Sequence, residues 1–131
     1  MPAGRRAARA TGRALAALKI APQRVVTSPY PRASETAELV AHELGGVQVV
    51  EDAALLGIEV DDLPALIERH GDDLLLVGHD PDFSVLVSAL TGARVSFPKA
   101  GAALIDPVAG TRGELRWLMR PRALALIAGG S

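Results

Sequence analysis

Three short apolar runs, "RVVTS" at 24–28, "VQVV" at 47–50 and "DLLLVG" at 73–78, constrain this chain more than any other feature. Each is too short for a helix. Each is separated from the next by a stretch carrying a helix-period apolar pattern. A parallel neighbour is reached only through a crossover, so strands alternating with helices predict an α/β fold with helices layered on both sides of the sheet. "DLLLVG" is apolar without alternation, the pattern of a strand covered on both faces. Helices are expected at 3–18, 32–44, 61–70 and 81–92. Ala33, Ala37, Val40 and Leu44 share one face of the second, which Gly45-Gly46 stops. Asp61 or Asp62 starts the third and Gly71 ends it, and Gly92 closes the fourth. Two final strands, 101–107 and 114–119, read as a hairpin around "AGTRG", so the sheet is mixed and mostly parallel. With 131 residues and no linker or repeat, a single domain over 1–131 is expected.

Phe83, Phe97, Trp117 and Tyr30 are the only aromatic residues, so the core must be built from Leu, Val, Ile and Ala. A net charge of −1 gives no global pull toward nucleic acid or membrane. The absence of cysteine removes disulfides, thiolate metal sites and cysteine nucleophiles together. No apolar run is long enough to span a bilayer, and a cytoplasmic protein is expected. The first helix, "GRRAARATGRALAAL", is basic and lacks acids, as transit peptides and membrane-surface helices do. Its apolar side is small, with Ala7, Thr11, Ala14 and Leu18 on it and Arg5, Arg9 and Arg13 on another face. Without a Trp or Phe anchor, it reads as a solvated helix.

Open α/β sheets bind ligands beyond the carboxyl ends of their strands. Two segments at such ends carry suitable chemistry. In "TSPYPR", Arg32 stands where a helix begins, although a cation costs about 0.3–1 kcal/mol at that end of the helix dipole. In "LLLVGHDPDF", His79 follows an apolar strand, Asp80-Pro81 reads as a helix start, and Gly78 permits close approach of backbone and ligand. Arginine and histidine at helix starts suit a phosphate. Taken singly, Arg32 reads as a surface partner of Glu35 or Glu38, and His79 as a hydrogen-bonded loop histidine. The pairing carries the information. His79, Asp80 and Asp82 match no standard metal spacing, so neither metal nor cofactor is expected. His42 and His70 read as structural or solvent-facing. Neither a G-x-S-x-G elbow nor a P-loop occurs.

These stretches, with "FPKAGAALID" and "ELRWLMRPRAL", resemble the histidine phosphatase superfamily in order and spacing over nearly the whole chain. The resemblance is to its SixA-like phosphohistidine phosphatase branch and implies a phosphoglycerate mutase-like three-layer αβα fold. It also implies covalent phosphoryl transfer, in which a histidine attacks phosphorus and water hydrolyses the phosphohistidine formed. Arg32 and His79 match the family's second arginine and second histidine, which stabilise the charge on the transferring phosphoryl group. Ser28 adds a hydrogen bond in this reading. The implied partner is a phosphorylated protein bearing phosphohistidine, or a small phosphate ester. An imidazole leaving group needs less protonation help than an alkoxide, which fits the lack of a recognisable acid; Glu51 and Glu59 are the nearby carboxyls.

The sequence departs from the family at its start. The family's nucleophile lies in an Arg-His-Gly motif after a first strand, and these residues contain no Arg-His-Gly. The first strand is therefore expected to be missing, leaving unpaired sheet edges. Three accounts stay open. An upstream strand completes the enzyme, or the chain is a catalytically inactive remnant that binds a phosphorylated partner, or it is a structural or oligomerising module.

Overall fold

Val25 and Val26 are fully buried in β1 (Arg24–Thr27), the strand about which the fold is arranged. The computed structural model describes residues 2–78, 82–94, 102–109, 112–119 and 121–129. Strand β1 is central in a parallel sheet, with β2 (Val49–Glu51) on one side and β3 (Leu74–Val77) on the other. Thr27 lies opposite both Glu51 and Val77, so all three strands end level at one edge. The alternation of side chains across a strand assigns the two faces. Val25, Leu75 and Val77 meet Ala37 and Ala41 of α2 (Pro31–Glu43), while Leu75 also meets the cluster of Ala8 and Leu15 from α1 (Pro2–Ala17). On the other face Val26, Leu74 and Leu76 pack with Leu66 of α3 (Leu63–His70) and with Leu86 and Leu90 of α4 (Asp82–Thr91).

The α/β class and the three helix-linked strands stand as expected. So does the antiparallel hairpin, β4 (Ala102–Ala109) with β5 (Arg112–Met119). Its register shifts between Ile105 and Val108, around Pro107, which has no N–H to give to a ladder. The two strand directions are divided between separate ladders, since none joins β3 to the hairpin among the described residues. β3 is therefore an edge strand among the described residues, in agreement with the open sheet edge expected from the sequence. This explains why its four apolar residues are only half-buried although both of its faces are covered.

The sequence reading lacked three elements. Short 3₁₀ turns at Ala53–Leu55 and Val60–Asp62 connect β2 to α3. Asp52 Oδ1 caps the first by accepting from the Ala54 N–H at 2.9 Å. Helix α5 (Pro121–Ile127) closes the chain and buries Leu124 completely. It also packs on α1, whose buried line faces α2 and the sheet. Ala14 is buried as expected, but Ala8, Gly12 and Leu15 complete the buried line, while Ala7, Thr11 and Leu18 stay half-exposed.

Gly12 sets the approach of α1 to α2. A β-carbon there would lie 2.8 Å from Glu43 Cβ and 3.1 Å from Val40 Cα, atoms tied to the α2 backbone that cannot rotate away. Replacing a helical glycine ordinarily gains up to about 1 kcal/mol of propensity, and overpacking costs about 1–3 kcal/mol. For the larger side chain of Gly12→Val the clash wins. We expect a loss of about 2 kcal/mol in urea unfolding; an unchanged midpoint would show that the helices separate freely.

Candidate functional site

Thr27 and Ser28 are both fully buried where β1 ends. The Ser28 N–H donates to the Val77 carbonyl at 3.1 Å, which ties the end of β1 to the end of β3. Thr27 Oγ1 donates to the Ser28 carbonyl at 3.0 Å. Ser28 Oγ has no hydrogen-bond partner among the described residues. Leaving a buried hydroxyl unpaired costs about 1–3 kcal/mol, so such a group is unusual in a strand end.

The chain then turns through Pro29 and Tyr30 into α2. Tyr30 occupies the N-cap position in an extended conformation, with no side-chain capping bond, and Pro31 takes the first helical position. Proline has no N–H, and the Ser34 N–H is already used by the Tyr30 carbonyl at 2.9 Å. The N–H groups of Arg32 and Ala33 meet no acceptor among the described residues, as the first turn of a helix leaves them. Arg32 is exposed at this turn, and Glu35 pairs instead with Arg5, Nε to Oε1 at 2.9 Å. That bridge and the Arg13–Glu43 pair at 3.8 Å set α1 parallel to α2. The N-terminus of α1 therefore lies beside that of α2, at the carboxyl edge of the sheet.

The second expected segment is placed in part. β3 ends at Val77, level with Thr27, and α4 resumes at Asp82. His79 lies outside the described residues, as do Asp80 and Pro81. The close approach at Gly78 is made by Phe83, since a β-carbon on Gly78 would lie 2.8 Å from its Cε1. That glycine seats the first turn of α4 against the strand end. His42 is exposed, and Glu51 and Glu59 are exposed as well.

One cluster was not foreseen. Asp52, just beyond β2, accepts from His70 Nε2 at 2.7 Å and from Arg69 at 2.8 and 3.2 Å, all at Oδ2. It joins the strand edge to the last turn of α3, where cations also suit the helix dipole. Burial is the largest single influence on its carboxyl and pushes the pKa upward. The bonds from His70, the Ala54 N–H and Arg69, with the charge of Arg69, outweigh it and hold the pKa at about 2. His70 is thus structural, as the sequence reading had it. No group of His, Cys, Asp and Glu able to hold a metal is found among the described residues. No helix among them is long and apolar enough to cross a membrane.

A parallel sheet with a buried hydroxyl, open helix N–H groups and an arginine at its carboxyl edge is an α/β protein equipped for an anion. Residues 1–66, half of the chain, match the family profile of the histidine phosphatase superfamily (branch 1), and the chain belongs to that superfamily. Its fold is similar to a crystal structure from Agrobacterium tumefaciens assigned as the phosphohistidine phosphatase SixA. The TM-score is 0.77 at 21% identity, over 92% of this chain and 82% of that one. No curated protein sequence matches the chain.

Proposed function

We propose that this chain is the phosphate-binding part of a phosphohistidine phosphatase. The observation that carries the reading is the Ser28–Arg32 turn, which follows one strand with a buried hydroxyl and two N–H groups unpartnered among the described residues, and an exposed arginine. A phosphoryl group there would accept from all of them, which offsets the repulsion between Arg32 and its own helix start. In this reading His79, two residues after β3 in the sequence, is the second phosphate-binding side chain. The N-terminus of α1 adds its partial positive charge at the same edge.

The nucleophile in this reading is a histidine outside these residues. Its imidazole nitrogen attacks phosphorus, the P–N bond to the substrate imidazole breaks, and that imidazole leaves with a proton. Water then hydrolyses the enzyme phosphohistidine to inorganic phosphate. The open edge of β3 is a fitting place for the strand that carries it. Helix α4 contacts both β3 and β5, and no ladder joins those two strands among the described residues. Glu51 and Glu59 are both exposed, and an imidazole leaving group needs less protonation help than an alkoxide, so phosphoramidate is the bond this reading assigns for cleavage.

Incubated with a histidine-phosphorylated protein, these residues should bind phosphate and release none above background. Turnover would overturn the assignment of the nucleophile to another segment. Phosphate binding that never becomes turnover, even in the longest natural form of the protein, would favour an inactive phosphoprotein-binding module.

A further inference from the structure

Helix α1 carries Arg5, Arg6, Arg9 and Arg13 and no acid. Arg5 and Arg13 are engaged by Glu35 and Glu43 of α2. Arg9 lies between them on the same stripe, four residues from each, and Arg6 stands about 100° further round the helix. Both are exposed, and neither forms an ion pair among the described residues. The two bridges hold α1 alongside α2, so Arg6 stands near the end of the molecule where Arg32 stands, and Arg9 follows about one turn further along the same helix. Glu35 is already neutralised there, and Glu38, about level with Arg9, forms no ion pair among the described residues. In a chain of net charge −1, positive charge has been gathered on one face beside the candidate pocket.

We propose that this face docks an acidic protein surface around the phosphorylated side chain, so that the substrate is a phosphoprotein with carboxylates flanking its phosphoryl group. The inference rests on the pocket reading above and extends it from the reacting group to its surroundings. Rim charges of this kind steer encounter and select partners while adding modest affinity. The exposed side of α1 has no aromatic residue, so it lacks the anchor a membrane surface needs and the stacking platform that single-stranded nucleic acid uses.

The test titrates the chain with two peptides bearing one stable phosphohistidine analogue, flanked in one by glutamates and in the other by lysines, and with inorganic phosphate. The glutamate peptide should bind about tenfold tighter at low salt, and the preference should collapse near 1 M salt as screening shortens to about 3 Å. Arg6→Glu combined with Arg9→Glu should reverse the preference while leaving the affinity for inorganic phosphate unchanged. Equal affinity for the two peptides, or a preference that survives the double substitution, overturns the proposal. Tighter binding to phosphatidylserine vesicles or to RNA than to the glutamate peptide, lost in the same variant, overturns it in favour of another partner. Failure of the pocket itself reads out separately, as phosphate affinity that ignores Arg32.

Discussion

Arg32→Ala should weaken binding of inorganic phosphate or vanadate by about 10- to 100-fold, with little change in folding stability. The first expectation follows from the charge-assisted bonds a guanidinium makes to a phosphoryl oxygen, about 1.5–3 kcal/mol each. The second follows from where Arg32 stands. Its side chain is exposed, Glu35 is bound to Arg5 instead, and a cation at a helix start is unfavourable by about 0.3–1 kcal/mol. Removing it therefore takes nothing from the fold and relieves a small repulsion. Arg32→Lys should recover part of the affinity, because a point charge remains but the planar fork is lost. Calorimetric titration checks all three proteins. Unchanged affinity in Arg32→Ala would remove this turn from any phosphate pocket.

Asp52→Ala should be the most destabilising single change at the strand edges, at about 2–4 kcal/mol. It deletes the cap of the turn after β2 and leaves His70, only 11% exposed, without its partner. Asp52→Asn keeps an oxygen for the Ala54 N–H and should cost less. The carboxyl also predicts an acid limb. Its pKa falls from the ordinary 3.8 to about 2 on folding, so its contribution is fully present above about pH 4 and is lost as pH falls through 2. The gap corresponds to about 2 kcal/mol. Urea unfolding between pH 5 and 2 should show a shallower loss in Asp52→Asn than in the parent. Parallel curves would mean that the cluster with Arg69 and His70 adds nothing.

Much of the scaffold was legible because its signals are local. Gly45 and Gly46 adopt positive φ where α2 stops, as a glycine pair after a periodic stretch implies. The apolar runs became strands, and Ala33, Ala37 and Val40 became the buried face of α2. What escaped the reading depends on neighbours distant in sequence. The buried line on α1 is the one that meets α2 and Leu75, and Gly12 gained its meaning from Val40 and Glu43. Gly78, read as room for a ligand, is approached by Phe83. Asp52 looked like one more acid in "VVEDAALLG" until α3 brought His70 within 2.7 Å of it.

The sequence by itself determined the α/β class, the order of its elements, and the presence of phosphate-suited residues after two strand-like runs. Those properties follow from periodicity and turn chemistry, which act over a few residues. Only the tertiary structure decided that β1 and β3 are neighbours ending level, that α1 lies parallel to α2, and that Ser28 Oγ is buried without a partner among the described residues, beside a helix start with no side-chain cap. These are consequences of parallel pairing and helix packing, and the contacts that produce them join residues about 30 to 50 positions apart.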